Sequence, residues 1–178
     1  TKQGDIHEPI ESIIAMHPEL LKQDPWKERL YAYRSNYAAQ SIPATAQLLL
    51  GDRSIATSYA TRWHLYRNKQ SLIERVDALE HLIPGPDCIV YLKLPYEELM
   101  KRLAHRTERN YGREDETDIR IMQSLHAYDE LRKRRPGKLQ HTNWISIDAT
   151  GEIPRVANRV FRIIEQFMKQ YTIMEKTR

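Results

Sequence analysis

Three short apolar runs constrain this chain more than any other feature: residues 47–51 (QLLLG), 88–94 (CIVYLKL) and 144–147 (WISI). Each is near-continuous rather than alternating, the pattern of a strand covered on both faces of a parallel sheet. The stretches around them have helical spacing. Residues 25–40 follow Asp24, a suitable N-cap, with Pro25 at the first helical position. Residues 71–82 place apolar side chains at Leu72, Ile73, Val76 and Leu79, a 3.6-residue period, and run into the turn Pro84-Gly85-Pro86-Asp87. Residues 96–105 follow Pro95. Residues 117–134 carry Ile121, Leu125, Tyr128 and Leu131 on one face and close at Pro136-Gly137. A last helix is expected over 153–171, through Val156, Val160, Ile163, Ile164 and Phe167. Strands alternating with helices predict an α/β fold with a parallel sheet.

The length of 178 residues suits one domain with one core. With 40% hydrophobic and 29% charged residues, the chain has neither the charge excess of a disordered protein nor a long apolar run. No membrane span or signal peptide is read from it. The net charge of +4 favours anionic partners. The basic run Arg132-Lys133-Arg134-Arg135 falls at a helix C-terminus, where the dipole favours cations anyway, so no nucleic-acid partner is expected. Cys88 is the single cysteine, which excludes an intramolecular disulfide. It reads as inert core, and a cytoplasmic location is the default.

Ligands of parallel α/β sheets sit beyond the carboxyl ends of the strands. After the first run come Gly51-Asp52-Arg53-Ser54. An Asp there can hold hydrated magnesium and an Arg can grip a phosphate, or Asp52 can simply cap the next helix. After the second run lies an arginine-rich stretch, KRLAHRTERNYGREDE at 101–116, containing Arg102, Arg106, Arg109 and Arg113. Converging mobile arginines are what phosphoryl transfer asks of a protein, although the acidic residues among them also fit a solvated helix end. After the third run comes Asp148-Ala149-Thr150-Gly151, a turn signal.

Taken in order, LLLGDRS at 48–54, PDCIVYLKLPYEELMKRLAHR at 86–106, Tyr128 and ISIDATGEI at 145–153 resemble the thymidylate kinase family. The resemblance covers nearly the whole chain from Asp24 onward. Related deoxynucleoside kinases share an acid-Arg-Ser triplet at the first strand end. The family fold is a three-layer parallel sheet flanked by helices, of the P-loop kinase type, with an arginine-rich lid at about 105–118. The resemblance implies ATP-dependent phosphoryl transfer to a nucleoside monophosphate, dTMP to dTDP, with ATP and Mg2+ and a homodimeric assembly. It places Asp52 near magnesium, Arg53 on the acceptor phosphate, and Arg106, Arg109 and Arg113 in the lid. It puts Tyr31 against the acceptor base with Arg34, Thr57 and Arg62 nearby, and Ala149 and Thr150 beside the adenine of ATP.

The departures fall mainly on the acceptor side. Arg34 stands three residues after Tyr31 where the family has an Arg four after its aromatic, and Arg62 replaces a glutamine. The Thr-Arg-Glu of the family has only Thr1-Lys2-Gln3 as a counterpart. No Gly-x4-Gly-Lys-Ser/Thr phosphate loop exists either, because only Gly137 precedes a lysine and Leu139 then takes the hydroxyl position. In this family the strand before that loop lies between the strands ending near Asp52 and Lys93. A sheet without it would leave backbone groups unpaired, so residues before Thr1, or another segment, are expected to fill the place. The alternatives are a degenerate kinase fold kept for nucleotide binding or scaffolding, and a deoxynucleoside kinase.

Overall fold

The computed structural model describes residues 16, 24–43, 45–46, 48–51, 54–104 and 118–176. Among these are helices α1 (Asp24–Gln40), α2 (Ile55–Arg62) and α3 (Lys69–Leu79), strand β1 (Cys88–Lys93), helices α4 (Tyr96–Ala104) and α5 (Asp118–Arg134), strand β2 (Asn143–Asp148) and helix α6 (Ile153–Lys176). They form two compact units, one from residues 1–87 and 115–142, the other from 88–114 and 143–178.

The first unit is helical. Helix α2 is capped by Ser54, whose hydroxyl accepts from the Ala56 amide at 3.2 Å. Asn68 caps α3 in the same way, accepting from Gln70 N at 3.0 Å and Ser71 N at 3.4 Å. The apolar stripe of α3 meets α2, and α2 packs against α5. Ile55, Tyr59, Leu72, Val76, Leu131 and Leu139 are enclosed there. Burial of each such side chain contributes about 1.5–3 kcal/mol.

The segment after α5 locks this core. Gly137 has φ +54°, and a Cβ there would lie 2.6–2.8 Å from Ile73 Cγ2, Asp77 Oδ2 and the Tyr59 hydroxyl. Next to it, Lys138 Nζ donates to the carbonyls of Glu80 at 2.7 Å, His81 at 3.3 Å and Ile83 at 2.7 Å, closing the end of α3. The Tyr59 hydroxyl donates to Asp77 and accepts from the Lys138 amide at 3.3 Å. Burial, then Asp77, push that phenol far above its ordinary value. The Gly137-Lys138 pair, a fragment of a phosphate loop by its letters, is here a structural corner.

The second unit holds β1 and β2, paired in parallel with Cys88 opposite Asn143 and Lys93 opposite Asp148. A parallel pair needs a long crossover, which fits the wide separation of the two runs. Tyr91 meets Trp144 edge to face, with centroids 6.3 Å apart and planes at 70°. Burial in this unit is lighter than the apolar runs predict. Strand β1 is half-buried with Leu92 exposed, and only Trp144 and Ile147 of β2 are buried. Cys88 is half-buried rather than core.

The run at 47–51 is the clearest correction. Residues 48–51 form no strand, and Leu48, Leu49 and Leu50 are 46%, 59% and 69% exposed. The described sheet has two strands, not three. A strand exists only through its ladder, and among the described residues the one ladder pairs β1 with β2. Helix α2 shows the reverse: at 8 residues it is too short for its periodicity to stand out in the sequence.

Candidate functional site

In the helical unit, α1 carries Tyr31 and Arg34 and α2 carries Thr57 and Arg62, four of the residues singled out from the sequence. The Arg34 guanidinium lies over the Tyr31 ring, 5.0 Å from its centroid, one helical turn along α1. Tyr31 is half-buried, and Arg34 already covers one face of its ring. Thr57 Oγ1 accepts from the Tyr128 hydroxyl at 3.1 Å, which ties α2 to α5. Arg62 points inward. Its Nε lies 3.2 Å from Glu28, its Nη1 lies 3.8 Å from Glu80, and Nη1 donates to the Ser58 carbonyl at 3.0 Å.

Around Arg62 lies a network that sequence reasoning missed. Glu28 also accepts from Arg75 Nε at 2.7 Å, and that bond holds the Arg75 guanidinium above its ordinary value. Glu80 is 4% exposed and accepts from the Ser58 hydroxyl at 2.9 Å. Burial pushes its carboxyl up, while Ser58, Arg62 and Lys138 pull it down. A signal was present, however. Glu28 stands four residues before the buried Ala32, and Glu80 four after the buried Val76, so each acid lies in register with a buried stripe. An acid in that position requires a partner, because an unpaired buried charge is costly.

In the strand unit, the loop from β2 to α6 is held by several hydrogen bonds. The Ala149 amide donates to the Lys93 carbonyl at 2.8 Å, extending the ladder past the strand end. Asp148 Oδ1 accepts from the Thr150 amide at 2.9 Å and the Thr150 hydroxyl at 2.7 Å, which holds the carboxyl below its ordinary value. Arg159 Nη1 donates to the Asp148 carbonyl at 2.7 Å, and Arg102 Nη2 to the Gly151 carbonyl at 3.1 Å. Ala149 is buried and Thr150 half-buried, so the turn is fixed at the carboxyl end of the sheet. Gly151, at φ +97°, completes it.

Asp52, Arg53, Arg106, Arg109 and Arg113 lie outside the described residues. Among the described residues, no group of three or more His, Cys, Asp or Glu side chains could hold a metal ion. No described helix is long and apolar enough to cross a membrane.

The described chain is thus a mixed α/β protein with a parallel strand pair and an ordered loop at the strand ends. It is 28% identical over 147 residues to the thymidylate kinase of Psychrobacter sp. (strain PRwf-1), in a match covering 77% of this chain and 66% of that protein. The chain therefore spans just under two thirds of that relative's length. No family model matches it. No solved structure matches it.

Proposed function

We propose that this chain is the larger part of a kinase that transfers the γ-phosphoryl group of ATP to a nucleoside monophosphate, dTMP being the preferred acceptor. The observation that carries the reading is the match to the Psychrobacter thymidylate kinase. The parallel pairing of β1 with β2 and the fixed turn at Asp148-Ala149-Thr150 support it. In the reaction an acceptor phosphate oxygen attacks the γ-phosphorus, the bond to the β–γ bridging oxygen breaks, and ADP leaves. Arg53 would hold the acceptor phosphate, and Arg106, Arg109 and Arg113 would close over the transferring group. Ala149 and Thr150 would border the adenine. Tyr31, Arg34, Thr57 and Arg62 would shape the acceptor side, with Arg62 fixed by Glu28 and Glu80. Magnesium, held at Asp52, would neutralise charge on the phosphates.

The chain has no phosphate loop of its own, so the proposal requires a strand and loop from residues outside 1–178, and it allows pairing with a second copy. Its test is a phosphoryl-transfer assay with ATP and magnesium on a protein extended upstream of Thr1. Turnover with dTMP is expected, and Arg53→Ala should cut kcat/KM at least tenfold with the fold intact. Turnover of thymidine alone would indicate a deoxynucleoside kinase. Nucleotide binding without turnover of any nucleoside monophosphate would indicate a scaffold.

A further inference from the structure

The helical unit contains a cavity of about 380 Å³ between the start of α3 and the end of α5, and none of its chemistry is used by the proposed reaction. Three cations line it: Arg67, Lys69 and Arg134. No carboxylate does. Arg67 is exposed and has no ion-pair or hydrogen-bond partner among the described residues. Lys69 Nζ sits 5.1 Å from the centroid of the Trp63 ring and donates to the Trp63 and Tyr66 carbonyls, so its charge is met only by dipoles and a π-face. Arg134 has an acid, Glu130 at 2.7 Å, but on the preceding turn of its own helix. Burial, and then the charge of Arg134, lower the Lys69 ammonium below its ordinary value. Ile73 and Pro136 add an apolar wall.

We infer that this cavity binds a phosphate monoester, with its dianion among Arg67, Lys69 and Arg134 and its organic group against Ile73 and Pro136. Charge-assisted hydrogen bonds from arginine suit phosphate oxygens, and a dianion supplies acceptors for Arg67 and for the donors that Lys69 and Arg134 leave over. A nucleic-acid strand fits less well. It needs an open track of cations and free ring faces, whereas the Trp63 side chain is buried and carries Lys69.

The test is calorimetric titration of the full chain with phenyl phosphate, inorganic phosphate and phenol. Saturable one-site binding of phenyl phosphate is expected, tighter than that of inorganic phosphate, with none for phenol. Arg67→Ala should weaken it at least tenfold, and its circular dichroism should match the parent because Arg67 holds no contact that folding needs. Arg53→Ala should leave this binding within twofold, which separates the cavity from the proposed acceptor site. Absence of saturable binding, binding indifferent to Arg67→Ala, or loss only in Arg53→Ala would each overturn the inference. Inorganic phosphate binding as tightly as phenyl phosphate would overturn the assigned apolar wall.

Discussion

Ile55, Tyr59, Leu72 and Leu131 of the helical unit are enclosed, and its buried acids Glu28 and Glu80 both have partners. In the strand unit no side chain of α4 is fully buried, and Leu92, Ile153 and Phe161 are 49%, 80% and 63% exposed. The difference follows from how each element completes its hydrogen bonds. A helix satisfies its own interior and needs only a partner for one stripe. A strand depends on neighbours along both edges and on cover over both faces, and parallel sheets are nearly always covered on both. The two strands and two helices among the described residues meet only part of that need. The strand unit is accordingly where the kinase proposal calls for an added segment.

The sharpest way to break this contrast is Leu72→Ala. Its side chain is fully buried, so urea unfolding should show a loss of about 2–5 kcal/mol. Glu28→Ala should cost about 3 kcal/mol, because it strips Arg62 and Arg75 of a shared acid inside the unit. Leu92→Ala, on the exposed end of β1, should cost under about 0.5 kcal/mol. If Leu92→Ala costs as much as Leu72→Ala, the two units are not differently closed.

The smallest effect is a slope. Burial, then Arg120 and Lys69, lower the His64 imidazole below its ordinary 6.5. The unfolded chain therefore binds the proton more readily, and stability should rise with pH between the folded value and about 6.5. In His64→Gln that portion of the pH–stability curve should flatten.

The two paired strands were legible because a continuous apolar run between turn signals has few other uses. The boundaries of α1 and α5 were nearly legible because Asp24-Pro25 and Pro136-Gly137 mark them chemically. The run at 47–51 misled because apolar letters report a preference for cover, whereas a strand also needs a ladder from elsewhere. The inward turn of Arg62 was hidden for a related reason. Its partners Glu28 and Glu80 lie far away in sequence, and only the packing of α1, α2 and α3 makes them neighbours. Among the site residues, Tyr31, Arg34, Thr57, Arg62, Ala149 and Thr150 have described surroundings, and the phosphate-facing arginines and Asp52 do not.

Lys138 gives the helical unit a built-in reporter. Its ammonium donates to three carbonyls at the end of α3, so it must leave all three before an amine-reactive reagent can acylate it. Its labelling rate, set against that of a solvent-facing lysine, would time the opening of that helix end. Once acylated, the nitrogen could no longer fasten the corner, and the chemistry that records the opening would also hold it open.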